Sequence, residues 1–507
     1  MEEVKMEADI KKMHQNPPYG MIIIMFIGAF VALLNNTLLN VAIPTIMEEF
    51  EVSPSTVQWI TTGYMLVNGI LIPASAFFIQ RFTNRRLFLT AMTLFSLGTA
   101  LAMLSPTFGV LVFARMVQAS GSAIMMPLLM NVMLTAFPIE KRGTAMGFFG
   151  LAMITAPAIG PTLSGYVVEH HDWRVLFGIV LPFALFTLIY AFIKLRNITP
   201  NREVRLNVPS LILSSIGFGG ILYGFSTAGD KGWDAVEVYG TILIGAVALT
   251  AFVIRQLRVE EPMLEFRIYR HPMFALASVI SVVLSMAMFS GMILTPLYVQ
   301  TIRGISPFES GLLMLPGAIV MGIMSPITGR LFDKFGARIL AIIGLTITVI
   351  TTYQLSKITF DTGYYTLMAI YTVRMLGISM VMMPVMTNGL NQLPMQENPH
   401  GTAMNSTLQQ ISGAIGSALL LTVMDKRTES AGEELYKEAM GTGNVPQSPE
   451  ALAQFKMELG SRAMLDGIQF TFFISTLIAI VALILALFIK RVTPPKSTEV
   501  FVEKVEE

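Results

Sequence analysis

Three asparagines stand within six residues in the segment LLNNTLLNVAIP (33–44), inside the first long apolar run of the chain. Amides donate and accept hydrogen bonds but do not titrate. An amide left without a partner in hydrocarbon costs on the order of 2–7 kcal/mol. Asn36 and Asn40 are four residues apart and share one helix face. A comparable polar stripe, Asn405, Gln409, Ser412 and Gly416, lies in a later apolar run. The chemistry on offer is binding. Asn36, Asn40, Asn405 and Gln409, joined by Gln118, are candidates to line a wet cavity and hydrogen-bond the polar groups of a substrate. The competing role is bonding between helices, worth about 0.6 kcal/mol per contact.

Two cations share that apolar setting. Arg115 and Arg374 are the ionised side chains that lie well inside apolar runs, about 10–15 Å from one end at 1.5 Å per residue. An intramembrane charge must face a cavity or a partner, which makes both candidates for proton coupling. The alternative is a guanidinium satisfied by backbone carbonyls. Asp and Glu are missing from the middle of every run, so Glu309 and Asp425, at run ends, are the remaining candidates to carry a proton.

The elements that must position these residues are membrane helices. The chain has 507 residues, 53% hydrophobic and 13% charged, where a soluble protein is nearer a quarter charged. Apolar runs of spanning length recur near 21–43, 56–79, 86–104, 108–134, 144–167, 175–194, 207–228, 239–257, 274–300, 310–331, 337–356, 364–387, 402–424 and 467–490. The reading is an all-α polytopic membrane protein with fourteen transmembrane helices. Most Lys and Arg fall in alternate connections and in the two terminal segments, which places both termini in the cytoplasm of a multi-pass cell-membrane protein. Trp59, Trp173 and Trp233 then fall at the outer face, where anchoring indoles sit. Residues 1–20 are polar, and no cleaved signal peptide is expected. There is no cysteine, which excludes disulfide and thiol chemistry. Net charge is +1, giving no bias toward nucleic acid.

The second half repeats the first. RMVQASGSAIMMPLLMN (115–131) is echoed by RMLGISMVMMPVMTN (374–388), and RGTAMG (142–147) by HGTAMN (400–405). The organisation is a cytoplasmic segment 1–20, a six-helix bundle 21–196, an inserted pair 207–257, a second six-helix bundle 274–490 and a cytoplasmic tail 491–507. Within the second bundle, 425–466 is expected to be an extracellular loop with a short surface helix starting at Ser448. Two similar bundles point to a transporter with its site between them.

Two segments carry a known signature. GRLFDKFGARIL (329–340) places Asp333 at a helix end, Gly336 in a tight turn and Lys334 and Arg338 in the headgroup region. The acid should favour the positive end of the next span, by about 0.3–1 kcal/mol. The segment resembles the loop signature of the major facilitator superfamily, a resemblance that implies a lock on the cytoplasmic side with Gly329 in the motif. In the equivalent first-half segment, AFFIQRFTNRRL (76–87), Gln80 replaces the acid and Thr83 the glycine. GFFGLAMITAPAIGPTLSG (147–165) is similar to the antiporter signature of that superfamily. Gly147, Gly160, Pro161 and Gly165 are in place, and Ala156 and Ser164 stand for two glycines. Arg115 with Gln118 resembles the proton-linked arginine motif of its drug antiporters.

Across nearly its whole length the chain resembles the fourteen-span drug:proton antiporter branch, and within it the lincomycin-resistance multidrug exporters of Gram-positive bacteria. In many fourteen-span relatives the first-span motif resembles L-D-x-T-x-x-N-x-A-x-P; here Asn35 occupies the acid position. The resemblance implies a monomer without cofactor that exports amphipathic drugs, with protons, the drug and the bilayer as its partners. A second reading is export or flipping of an endogenous lipid, metabolite or signalling molecule with altered proton coupling. A membrane enzyme is disfavoured. Gly-Lys never occurs, excluding a phosphate-binding ATPase loop, and no His-Glu-x-x-His is present among the five histidines.

Overall fold

The computed structural model describes residues 17–52, 54–57, 59–198, 207–441 and 449–492. They form fourteen long helices. The first six are α1 (Tyr19–Glu49), α2 (Trp59–Arg81), α3 (Asn84–Met103), α4 (Phe108–Ala136), α5 (Ile139–His170) and α6 (Val175–Lys194). The inserted pair is α7 (Val208–Lys231) and α8 (Val236–Arg258). The last six are α9 (Pro272–Leu297), α10 (Pro307–Phe335), α11 (Ala337–Leu355), α12 (Tyr364–Leu390), α13 (Asn398–Gly441) and α14 (Pro449–Ala486). Among the described residues, thirteen helices are long and apolar enough to cross a membrane. The fourteenth, α5, has 32 residues and lies along α1 and α10.

Local sequence starts these helices where the apolar runs begin. The hydroxyl of Thr83 accepts from Arg86 N at the head of α3, and Thr107 does the same for Val110 N at α4. Ser306 accepts from Glu309 N at 3.2 Å, while its hydroxyl reaches the Glu309 carboxylate, a reciprocal cap that opens α10. Gly336 ends α10 at φ +79°, a conformation that costs glycine little.

The repeat is visible in the packing. α1 packs on α4, α5 and α6, α2 on α4, and α3 on α4 and α6. Every one of these pairs recurs eight helices later, from α9 with α12, α13 and α14 to α11 with α12 and α14. The two groups meet along two seams, α5 with α10 and α2 with α13. The inserted helix α7 lies against both α2 and α13, across the second seam.

Two expectations are corrected. Residues 425–441 and 449–466 are helical rather than a loop with a short helix. α13 runs on to Gly441 over 44 residues, and α14 starts at Pro449 and runs 38 residues into the last span. At 1.5 Å per residue these helices are roughly 66 and 57 Å long against about 30 Å of hydrocarbon. Ser448 lies outside the described residues. The protruding hairpin is held at its base by Arg427, which pairs with Asp466 at 2.6 Å and sits over the Phe470 ring. Trp173 is also no surface anchor. It is 1% exposed and donates to Glu49 at 2.5 Å, between α1 and α6.

Candidate substrate pathway

At the end of the bundle that carries Lys334, Arg338 and Arg491, the two halves are bonded together. Asp333 accepts from Gly143 N at 2.8 Å, Thr144 N at 2.9 Å and the Thr144 hydroxyl at 2.6 Å. These donors belong to the first turns of α5. The expectation that Asp333 serves the start of α11 is therefore wrong: the carboxylate crosses to the other half. Arg491 in turn donates to the Asp333 carbonyl at 3.0 Å. Lys334 lies over the Phe335 ring, and Arg338 is exposed.

Glycine lets the α5/α10 backbones touch. A Cβ on Gly329 would strike the Gly143 carbonyl, and one on Gly147 would lie 2.6 Å from Ser325 O. Ser325 donates to Gly147 O at 2.8 Å across this contact. Gly160 is used differently, since a Cβ there would strike the Thr37 hydroxyl of α1. Nothing lies within 4 Å of a Cβ at Gly165. Accordingly, Gly160→Ala should lower the amount of protein in the membrane, while Gly165→Ala should leave abundance and transport unchanged. Immunoblotting of membranes beside an uptake assay checks both. The side chain of Pro161 lies outside the described residues, as does that of Asn40.

Sequence reasoning passed over two more bridges at the basic end. Arg142, 7% exposed, donates to Asn391 Oδ1 at 3.1 Å, joining α5 to the end of α12. Gln80 Nε2 lies 3.0 Å from His400 Nε2, joining α2 to α13. The repeat held the clue, because RGTAMG and HGTAMN are the segments that supply Thr144 and His400. The Gln80–His400 contact thus joins, in the other seam, the counterpart of Asp333 to the counterpart of Arg142.

Both intramembrane arginines are fully enclosed. Arg115 donates to Gln118 Oε1 at 2.9 Å and lies over the Tyr64 ring at 4.3 Å. Its Nη2 reaches Asn36 Oδ1 at 3.4 Å, while its Nε has no partner. Gln118 passes the network on to Thr99 at 2.8 Å. It is itself 0% exposed, so its position is that of a support for Arg115 rather than of a cavity wall. Arg374 donates to Thr352 at 3.1 Å and to the Ala287 carbonyl at 2.6 Å. Among the described residues neither arginine has a carboxylate partner. Glu309 stands exposed in the first turn of α10 and Asp425 stands exposed partway along α13, and the structure does not bring them to either arginine.

The amides divide by environment. Asn35 is 2% exposed and its Nδ2 has no partner, so its position is a sealed one. Asn405 is 5% exposed and bonds to the Met386 sulfur. Gln409 lines a cavity of about 10 Å³, room for a single water, with Ser281 and Ser285. Asn36 is half-buried beside Arg115. The structure therefore brings Asn36, Arg115 and Gln118 together in one half, and places Asn405 and Gln409 in the other. At the far end the α5/α10 seam parts into an apolar cavity of about 450 Å³ lined by Ile159, Leu163, Tyr166, Phe308 and Leu315.

The glycine-lined α5/α10 seam, closed at the basic end and parted at the other, joins two repeated bundles of helices. Comparison with known proteins agrees. The chain is 51% identical over 418 residues to an uncharacterised MFS-type transporter, YhcA, of Bacillus subtilis, covering 82% of this chain and 79% of that one. It is 41% identical over 489 residues to the lincomycin resistance protein LmrB of the same organism, covering 96% and 99%. Among solved structures, the proton:xylose symporter XylE has the same fold, at a TM-score of 0.59, 13% identity and coverage of 93% and 95%. The family description Major Facilitator Superfamily matches residues 25–417. This chain is a multi-pass membrane transporter, not an enzyme, and it belongs to the Major Facilitator Superfamily.

Proposed function

We propose that the protein exports amphipathic drugs from the cell by alternating access, in exchange for protons, with both termini in the cytoplasm. The carrying observation is the 41% identity, over 96% of the chain, to a relative named for lincomycin resistance. The closed basic end and the parted far end support it as the geometry of an outward-facing form. In this reading Asn36, Asn40 and Gln409 meet the polar groups of the drug, Gln118 holds Arg115, and the Asp333 bonds gate the cytoplasmic side. Each gating bond is broken and remade once per cycle.

A second reading, export of an endogenous lipid or metabolite with altered coupling, draws support from Asn35. A sealed amide cannot exchange a proton, whereas a carboxyl there can. Asn35→Asp should therefore introduce a new pH dependence. The neutral acid substitutes well for the amide at low pH. As pH rises and the carboxyl ionises, a buried charge appears and transport falls. Transport rates of wild type and variant across a pH series check this, and identical profiles would count against the placement of Asn35 in the transport path.

The deciding experiment is drug-driven proton movement in proteoliposomes under an imposed pH gradient, for wild type, Glu309→Gln and Asp425→Asn. Proton flux that requires lincomycin and disappears in one variant supports antiport through that carboxylate. Lincomycin movement with no proton flux in any variant favours altered coupling. No lincomycin movement at all sinks the drug-export reading.

A further inference from the structure

An imidazole is buried among the basic-end contacts. His400, at the start of α13, is 8% exposed. Its Nδ1 accepts from Glu265 N at 3.2 Å, and its Nε2 lies 3.0 Å from Gln80 Nε2 of α2. Glu265 belongs to the connection between α8 and α9. That connection is pinned one residue earlier, where Leu264 N donates to Gln256 Oε1 at 3.3 Å. Gln80 is pinned as well, since its Nε2 also donates to the Ala76 carbonyl at 3.1 Å.

Both ring nitrogens thus face donors. A neutral imidazole has one nitrogen that accepts, and an imidazolium has none. A neutral ring therefore satisfies one of the two donors, and a protonated ring satisfies neither. Turning the Gln80 amide over would present its oxygen to the ring, but would set that oxygen against the Ala76 carbonyl. The ionisable groups on the elements packed there are engaged elsewhere, exposed or neutral. The Glu265 carboxylate accepts from Arg267 N at 2.9 Å and pairs with the Arg267 guanidinium at 3.5 Å. Glu397 pairs with His271 at 3.3 Å. Arg81 of α2 is exposed, as are Glu260, Glu261 and Arg270 of the connection. Burial pushes the Tyr269 phenol up to about 12, so it stays neutral. Among the described residues α9 carries no charged side chain, and those of α4, α7, α12 and α14 lie in mid-helix or toward the far end.

We propose that His400 is a proton-binding site linked to the α2/α13 seam: the closed seam holds the ring neutral, and the parted seam lets it take a proton. The proposal rests on the alternating-access reading, in which the basic-end contacts part once per cycle. A ligand that binds one form stabilises that form, so acid favours the parted seam and alkali the closed one. An imidazole in water titrates near pH 6.5, about two units above a carboxylate. Lowering the pH from about 7.5 to about 6.0 then raises the ratio of parted to closed forms roughly 4-fold.

The test is a distance across the seam in the full chain, held in lipid nanodiscs. Native cysteine is absent, so spin labels attach only at Arg86→Cys, at the head of α3, and Gln396→Cys, just before α13. Both positions are exposed. Double electron–electron resonance should show a longer distance whose population, relative to the shorter one, grows roughly 4-fold over that pH interval. In His400→Gln and His400→Asn, which form hydrogen bonds but do not titrate, the ratio should stay constant. His271→Gln should respond as the parent does. A parent ratio that lincomycin shifts but pH does not overturns the proposal and leaves alternating access standing. A pH response that survives both His400 variants belongs to Asp333 or another group, and also overturns it. One distance under every condition overturns the alternating-access reading, and this site with it.

Discussion

Replacing Asp333 with alanine should hold the transporter open at its basic end and abolish net transport while leaving the protein folded. The carboxylate takes three hydrogen bonds from α5, two from backbone amides and one from the Thr144 hydroxyl. Bonds to a charged acceptor are worth about 1.5–3 kcal/mol each. They exist only while the basic end is closed, so they stabilise that form alone. Removing them at a net loss of about 3 kcal/mol shifts the ratio of closed to open forms roughly 100-fold. Thr144→Val should do less, because it leaves both backbone donors in place. The check is reaction of Met383→Cys with a small thiol reagent in the otherwise cysteine-free chain. Met383 is 3% exposed and lies against Gly150 in the closed seam. Labelling should be slow with Asp333 present and much faster in Asp333→Ala. Equal labelling, with transport intact, would remove Asp333 from the gating role.

The second large effect is expected at Gly291. A Cβ there would overlap the Arg374 guanidinium, whose Nη1 is the nearest atom. Arg374 is tied to Thr352 of α11 and to the Ala287 carbonyl of α9, one turn before Gly291. Forcing it out of place breaks those bonds and leaves buried polar groups unpaired, which costs about 1–3 kcal/mol each and more for a charged group. That is a large share of the stability of a folded domain. Gly291→Ala should therefore reduce membrane abundance sharply. Adding Arg374→Met removes the charge and its volume together, and should restore abundance but not transport. Fluorescence-detected size exclusion of tagged variants separates these outcomes. If Gly291→Ala alone is as abundant as wild type, Arg374 is less constrained than its bonds imply.

Much of the architecture was legible because hydrocarbon imposes it. A spanning helix needs about twenty apolar residues, and that requirement writes itself into the sequence fourteen times over. The repeat was legible because Arg115 and Arg374, with their following prolines, recur at offsets of 259 and 257 residues. The site was harder. The donors to Asp333 lie 189 and 190 residues away along the chain, and spacing alone points to the adjacent helix instead. Gln118 reads as a polar wall residue, yet its burial depends on Thr99, from another helix. The outer parts of α13 and α14 were missed for a different reason. Hydropathy marks the end of a span, but a charged helix standing in water has the same composition as a loop.

The cover that α7 provides over the α2/α13 seam has a mechanical consequence. In the proposed alternating-access cycle a brace along one edge restrains that edge, so the two bundles part most along the other. Displacement then grows with distance from the braced edge and is greatest where α5 meets α10. The glycines sit where that leverage is largest, since Gly143, Gly147 and Gly329 all line the α5/α10 contact. On that reading, the widest cargo the protein passes is set by how far the α5/α10 edge parts.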